Sequence, residues 1–241
     1  MKTLYQKSQL AFSLVCIGAY VLLFSAAQSI GPIGGIDGIA ELLAGALMAL
    51  ALVIFLHRQG LQGRYGLCPM RASLRRLWYF LPLAGIVSVN FWFGAQWPAL
   101  PEGLIFILSM LLAAFLEELL FRGFLFRTLQ KELPSAAILI ASLTFGLGHL
   151  INLLSGGTEG LLPGLLQAGY ATAAGYMFVM LYLKGGSLLP CIAGHGLLNA
   201  LQAFSARQPL PQQELVIASI GISLLSLLYA LHLRRLPDQP D

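Results

Sequence analysis

The 241-residue chain is 58% hydrophobic and only 10% charged, with a mean hydropathy of +0.80. Soluble domains carry roughly a quarter charged residues, so this composition excludes a water-soluble globular protein and predicts an integral membrane protein. The net charge of +4 is no sign of nucleic-acid binding, because basic residues in membrane proteins mostly record which side of the bilayer a loop occupies.

Eight apolar segments are long enough to cross, or nearly cross, the hydrocarbon layer, which takes about 20 residues. Turn-forming stretches such as GPIGG, SGGTEG and KGGS separate them. No linker or second soluble unit interrupts the series, so residues 1–241 are predicted to form a single, all-α polytopic transmembrane domain. The segments lie at 8–28, 36–57, 77–96, 104–126, 135–153, 161–183, 187–204 and 214–233.

The basic residues predict the orientation of these segments. With a cytoplasmic N-terminus, thirteen of the fourteen lysines and arginines fall on the inner side, although Arg122 lies within a span and counts for little. Only Arg207 falls outside. This bias predicts eight crossings in the cell (inner) membrane with both termini in the cytoplasm. A cleaved signal peptide ending near SAAQ is less favoured, because the first apolar run is longer than such peptides usually have.

Three predicted helices carry polar residues at helical spacing. Ionisable side chains inside a bilayer are costly and mark functional sites. Residues four apart lie on one helix face, so Glu118 and Arg122 are predicted to form an ion pair and to leave Glu117 free to face another helix. The motifs are EELLFR with Glu117, Glu118 and Arg122, FGLGH with Phe145 and His149, and HGLLN with His195 and Asn199.

Depth in the membrane predicts that these motifs converge. Glu118 and His149 lie fifteen residues before and after the turn at 133–134, so an antiparallel hairpin places them at the same level. His195 follows the turn at 185–186 by only nine residues and is expected nearer the inner face. Glycines on these helices allow close approach. The sequence therefore predicts a polar cavity in the inner half of the bilayer.

Such a cavity contains the groups that peptide hydrolysis needs, namely a base for a water nucleophile and donors for the developing negative charge. Glu117, His149 and His195 are also enough ligands for a catalytic zinc with an open position, although the chain has no HExxH motif. Water activation without a metal is favoured narrowly. No cofactor is therefore favoured, and zinc is the alternative.

In order and spacing, the three motifs resemble the Abi family, also called the CAAX protease and bacteriocin-processing family, which includes the type II CAAX prenyl endopeptidases. The family pattern is a Glu-Glu pair with Arg four residues after the second Glu, then Phe with His four later, then His with Asn or Asp four later. The chain matches every position, and the resemblance covers residues 104–204.

The resemblance implies an intramembrane endopeptidase. Glu117 would act as the general base that activates a water, and His149 would share or orient that water. His195 and Asn199 would polarise the scissile carbonyl and stabilise the oxyanion. The second glutamate and the arginine of the first motif would form a structural ion pair, in agreement with their spacing.

Two other functions remain open. One is a non-catalytic scaffold or bacteriocin-immunity binding protein of the same fold. The other, less favoured, is a proton-coupled transporter, for which the sequence shows no internal repeat or matched pair of broken helices.

The expected partners are a peptide or membrane-protein substrate, with or without an attached lipid, and membrane lipids, but no nucleic acid. The basic and aromatic stretch MRASLRRLWYF is predicted to contact anionic headgroups. Gln167, Tyr170 and Tyr176 on the sixth segment are candidates for cavity lining without an assigned role.

Overall fold

A computed structural model describes residues 1–151, 160–206 and 209–237 of the chain. Its regular elements are helical, apart from two isolated backbone bridges, so the prediction of an all-α protein is confirmed. The end of the predicted segment 135–153, most of the SGGTEG loop and Arg207 lie outside the described residues. The α-helices are α1 (Lys2–Lys7), α2 (Gln9–Gln28), α3 (Ile39–Gln59), α4 (Leu81–Val87), α5 (Glu102–Glu117), α6 (Arg127–Glu132), α7 (Ala137–Gly148), α8 (Leu161–Gly185), α9 (Leu189–Ala200) and α10 (Gln212–Arg234).

The chain also contains one π-helix and three 3-10 turns. A π-helix, Glu118–Phe126, joins α5 to α6, so that Glu102–Glu132 is one continuous helix. The 3-10 turns are Trp78–Phe80, Ser88–Phe91 and Leu201–Phe204.

Helix length and composition support an integral membrane protein. Among the described residues, four helices are long and apolar enough to cross a bilayer, namely Gln9–Gln28, Ile39–Gln59, Glu102–Glu132 and Gln212–Arg234. Trp78–Phe91 and Ala137–Gly148 are apolar but shorter. The number of crossings therefore stays a prediction.

The predicted third crossing, 77–96, differs most from its expected form. Trp78, Tyr79 and Phe80 have φ values of 51°, 53° and 61°, in the left-handed region that side chains with a Cβ rarely adopt. The right-handed α-helix begins only after them, with Pro82 in its first turn, and α4 has just seven residues. One continuous helix over 77–96 was the wrong expectation, since backbone strain breaks it at the start.

Hydrogen bonds between loops and chain ends bring several segments together at one end of the molecule, which we call the basic end. Tyr65 Oη donates to Tyr5 Oη at 2.9 Å, and the Arg71 backbone N–H donates to Gly185 O at 3.0 Å. Lys184 Nζ donates to Leu236 O at 2.5 Å. The N-terminus, loop 60–77, the turn after α8 and the end of α10 therefore lie together. The segments at this end carry Lys2, Lys7, Arg58, Arg64, Arg71, Arg75, Arg76, Arg127, Lys131, Lys184, Arg234 and Arg235.

The opposite end is formed by the loops 29–38, 94–101 and 204–206. Gln96 donates its backbone N–H to Phe204 O at 2.9 Å, and Ala206 donates to Gly94 O at 3.1 Å. Within the described ranges, these loops contain no lysine or arginine. The charge asymmetry that predicted the orientation is thus an asymmetry of the folded molecule, while its orientation in a membrane stays a prediction.

A layer of buried aromatic rings, here called the aromatic layer, fills the molecule behind the basic end. The Phe124 ring packs against Phe12 at 5.3 Å and Tyr65 at 4.8 Å, and Phe126 packs against Tyr182 at 6.4 Å, between ring centroids. All five side chains are at most 2% exposed. Side chains so completely enclosed form a tightly packed part of the core between the basic end and the middle of the molecule.

Candidate active site

The first motif lies where α5 becomes a π-helix. Glu117 is the last residue of α5, and Glu118 is the first residue of the π-helix. Such i→i+5 turns are rare and occur frequently at functional sites. All nine residues of Glu118–Phe126 are buried, so packing holds this turn from every side. An ordinary α-helix was expected here, because hydrophobic periodicity does not distinguish the two helix types.

Glu118 holds two of the motifs together. Its Oε1 lies 3.0 Å from Arg122 Nη1 and accepts a hydrogen bond from His195 Nδ1 at 2.8 Å. The exposed fractions of these side chains are 0% for Glu118, 1% for Arg122 and 7% for His195. A buried carboxylate is stabilised only when it is paired and hydrogen-bonded, and here a single oxygen atom has both partners.

Arg122 is held by aromatic faces as well as by Glu118. Its guanidinium carbon lies 4.0 Å from the centroid of the Phe145 ring and 5.5 Å from that of Phe178. Phe178 in turn stacks on the His195 ring at 5.4 Å, with 24° between the planes. Cation–π attraction therefore adds to the ion pair in a place where water is excluded. The Phe of the second motif thus has a definite contact, since it lies under the arginine of the first.

Glu117 has a different environment from its neighbour. Tyr20 Oη donates to Glu117 Oε1 at 2.7 Å. The other oxygen, Oε2, lies 3.6 Å from His195 Nε2 and has no hydrogen-bond partner among the described residues. Its side chain is 14% exposed, whereas that of Glu118 is 0% exposed. Each of the two adjacent carboxylates thus has one oxygen without a hydrogen-bond partner among the described residues, but only Glu117 lines the cavity.

A cavity of about 270 Å³ lies beside Glu117. Its walls contain Glu117, His149, His195 and Asn199. Glu118 and Arg122 are not among the lining residues and lie behind the wall. The structure therefore brings the four residues predicted to act on a substrate to one space and places the predicted ion pair outside it.

The cavity extends from Glu117 toward the end opposite the basic end. Its lining includes Phe121 and Phe178, next to the aromatic layer, and continues to Gln28 and Gln202. His195 Nε2 lies 3.6 Å from Glu117 Oε2, so these two side chains meet at one level. The expected position in the inner half of the bilayer depends on the orientation of the molecule and stays a prediction.

No motif in the sequence indicated that α2 forms a cavity wall. Tyr20, Val21, Phe24, Ser25 and Gln28 of this helix line the space. Tyr20 belongs to no motif, and its only signal was a hydroxyl in an apolar span. Of the three residues on α8 that were candidates for the cavity lining, Gln167 and Tyr170 line the cavity. Tyr176 does not appear in its lining.

A glycine fixes the approach of α7, the helix that ends at His149. A Cβ at Gly146 would overlap the Thr172 side chain and lie 2.6 Å from Ala168 O on α8. Only a residue without a side chain permits this helix contact. The contact holds the His149 end of α7 against α8 at the cavity.

The zinc alternative does not fit this arrangement. The described ranges contain no group of three or more histidine, cysteine, aspartate or glutamate side chains placed to hold a metal ion. His195 uses Nδ1 for Glu118, and only its Nε2 faces Glu117. Glu117, His149 and His195 share the cavity without converging on one point, and no step below is routed through a metal.

Comparison with known proteins agrees with the motifs. Residues 98–201 match the family described as type II CAAX prenyl endopeptidase Rce1-like. No curated protein and no solved structure matches the chain. The matched region runs from the start of α5 to the end of α9 and includes all three motifs, but not α2 with Tyr20. The central region of this chain, residues 98–201, is therefore similar to the Rce1-like family of type II CAAX prenyl endopeptidases.

Proposed function

We propose that the protein is an intramembrane endopeptidase that hydrolyses a peptide bond with a water activated by Glu117. The observation that carries this proposal is the asymmetry of the Glu117 carboxylate. One oxygen is held by Tyr20 at 2.7 Å, and the other lies 3.6 Å from His195 Nε2 without a hydrogen-bond partner among the described residues. A general base needs this combination of fixed position and available lone pair.

The attacking water lies beside Glu117 Oε2 and His195 Nε2. These atoms are 3.6 Å apart, so one water to their side contacts both. As the water oxygen bonds to the carbonyl carbon, its proton passes to Glu117, while His149 orients the water from its own wall. The protonated Glu117 then gives that proton to the leaving nitrogen as the C–N bond breaks. The products are a carboxylic acid and an amine, and Glu117 returns to its starting form.

The oxyanion is stabilised by Asn199 and His195. The Asn199 amide donates from the cavity wall, and His195 presents Nε2 to the same space. Glu118 accepts a hydrogen bond from His195 Nδ1 at 2.8 Å and so holds the ring with Nε2 toward Glu117. Fixed donors in a low-dielectric interior are worth much more than in water.

The substrate is a peptide or a segment of a membrane protein. A non-catalytic scaffold of the same fold needs no available oxygen on Glu117, and a transporter needs no oxyanion donors. Both alternatives predict no product, so a direct assay of peptide cleavage separates them from the proposed enzyme.

The test is an assay of purified protein in detergent against a mixture of peptides, read by mass spectrometry. Wild-type protein should generate new peptide termini, and Glu117→Gln should generate none. Glu102→Gln is the matched control, because Glu102 is exposed in the first turn of α5 and does not line the cavity. Equal cleavage by wild type and Glu117→Gln would refute the proposed function.

A further inference from the structure

Toward the basic end, the cavity borders buried side chains. Its lining there includes Phe121 and Phe178, which are 6% and 1% exposed. Behind them lie the aromatic layer and the loop contacts of the basic end. Leu188, which donates its backbone N–H to Gly66 O at 2.8 Å, is fully buried at this level. On that side of Glu117, these described residues present tightly packed side chains to a peptide.

Toward the opposite end the cavity continues to the surface. Ser25 and Gln28 line it from the last two turns of α2, and Gln28 is exposed. Gln202 lines it from the 3-10 turn Leu201–Phe204. Phe204 accepts the backbone hydrogen bond from Gln96 that joins the loops of the opposite end. We call the part lined by Ser25, Gln28, Gln167 and Gln202 the mouth of the cavity.

We propose that the enzyme receives its substrate through this mouth, from the outer face of the membrane, as an extended and uncharged peptide segment. The inference rests on the proposed function. Basic residues mark the cytoplasmic side of membrane proteins, and the described lysines and arginines other than Arg122 all belong to segments of the basic end. The mouth lies at the other end. The substrates are then exported polypeptides or the outer parts of membrane-embedded ones.

The chemistry of the mouth fits a peptide backbone. Each glutamine amide offers donors and an acceptor, as does each peptide group of an extended chain, and Ser25 adds a hydroxyl. Among the described lining residues, Glu117 is the only one with a carboxylate, and none is a lysine or arginine. A charged substrate side chain would lose its hydration at the mouth, where the described residues Ser25, Gln28, Gln167 and Gln202 offer it no opposite charge. Uncharged segments are therefore selected.

Labelling of single cysteines tests the direction of the mouth. In a Cys68→Ser background, which keeps the buried Cys16 and Cys191, Ser25→Cys and Gln28→Cys are treated with a membrane-impermeant maleimide. Arg75→Cys is the matched control, because Arg75 is exposed at the basic end. The unsubstituted background gives the residual signal. Intact cells should label Ser25→Cys and Gln28→Cys several-fold more than sealed inside-out vesicles do, and Arg75→Cys should show the reverse.

Labelling of Ser25→Cys from the cytoplasmic side, or from neither side, overturns the proposal. Because labelling does not require catalysis, the same measurement with Glu117→Gln reports the direction of the mouth independently of peptidase activity. An outward mouth in a protein without peptidase activity would refute the proposed function and leave the direction of the mouth intact.

Protection from the label tests the substrate class. A blocked peptide of alanine, leucine and serine, added outside cells that carry Ser25→Cys with Glu117→Gln, should slow labelling several-fold. The same peptide with lysine and aspartate inserted should not. Equal protection by both peptides overturns the selection for uncharged segments.

Discussion

Glu118 and His195 are separated by 77 positions in the sequence, and their side chains meet at 2.8 Å inside the molecule. The same carboxylate oxygen lies 3.0 Å from Arg122, which in turn rests on the ring of Phe145. One buried oxygen therefore joins the first motif to the third, and the arginine joins both to the second. The motifs are parts of a single polar cluster, and Glu117 stands at its edge.

The two adjacent glutamates should respond differently to the same substitution. Glu117→Gln keeps an oxygen for the Tyr20 hydroxyl and removes only the base, so it should abolish cleavage and leave the melting temperature in detergent nearly unchanged. Glu118→Gln leaves Arg122 with an unpaired charge, a loss of about 3–5 kcal/mol when a buried pair is broken in soluble proteins. It should melt early and lose activity. The reverse pattern would mean that the base and the structural glutamate are interchanged.

Arg122 gives a second test of the same cluster. Arg122→Ala should melt early for the same reason as Glu118→Gln, since it leaves a buried carboxylate without its cation. The double variant removes both charges, so its loss of stability should be smaller than the sum of the single losses. Thermal unfolding of the four proteins in one detergent measures this coupling. Additive losses would show that the contact at 3.0 Å contributes nothing to stability.

Tyr20→Phe removes one hydroxyl and the hydrogen bond that holds Glu117. Hydrogen bonds to charged groups contribute about 1.5–3 kcal/mol, so cleavage should fall about 10- to 100-fold if the bond is needed in the transition state. Tyr176→Phe is the control, as Tyr176 does not appear in the cavity lining. An unchanged cleavage rate in Tyr20→Phe would show that Tyr20 has no part in positioning the base.

Gly146→Ala tests the close approach of α7 to α8. The new methyl group would lie 2.6 Å from Ala168 O, so the helices must separate and His149 must move. Overpacking of this kind costs about 1–3 kcal/mol, and cleavage should fall with the melting temperature. Gly169→Ala on α8 is the control, because a Cβ there meets nothing within 4 Å. Equal behaviour of the two variants would refute the role of this contact.

Metal analysis tests the mechanism of water activation. Purified protein should contain well under one equivalent of zinc, and its peptidase activity should survive a chelator, because Glu117 and the two histidines do not converge on a common point. Stoichiometric zinc that is lost together with activity in His149→Ala or His195→Ala would establish a metalloprotease instead.

Much of the site could be predicted from spacing alone. The pairing of Glu118 with Arg122 follows from four-residue periodicity, and the hairpin at 133–134 was predicted to place Glu118 and His149 at one depth. The wall from α2 could not be predicted, because Tyr20 belongs to no motif and its contact spans 97 positions. The π-helix and the break at Trp78–Phe80 depend on tertiary packing, which single-sequence periodicity does not report. The extension of the cavity to Gln28 and Gln202 could not be predicted either, since loop lengths do not show where aromatic rings fill the interior.

The most direct test of the account compares protein termini in cells that carry the wild-type chain with those in cells that carry Glu117→Gln at equal abundance. Quantitative mass spectrometry of membrane and secreted fractions measures the termini created by cleavage. The account predicts a set of termini that is present with wild type, absent with Glu117→Gln and retained with Glu102→Gln. Identical termini in all three, together with an unchanged wild-type phenotype in Glu117→Gln cells, would contradict it and identify the protein as a scaffold.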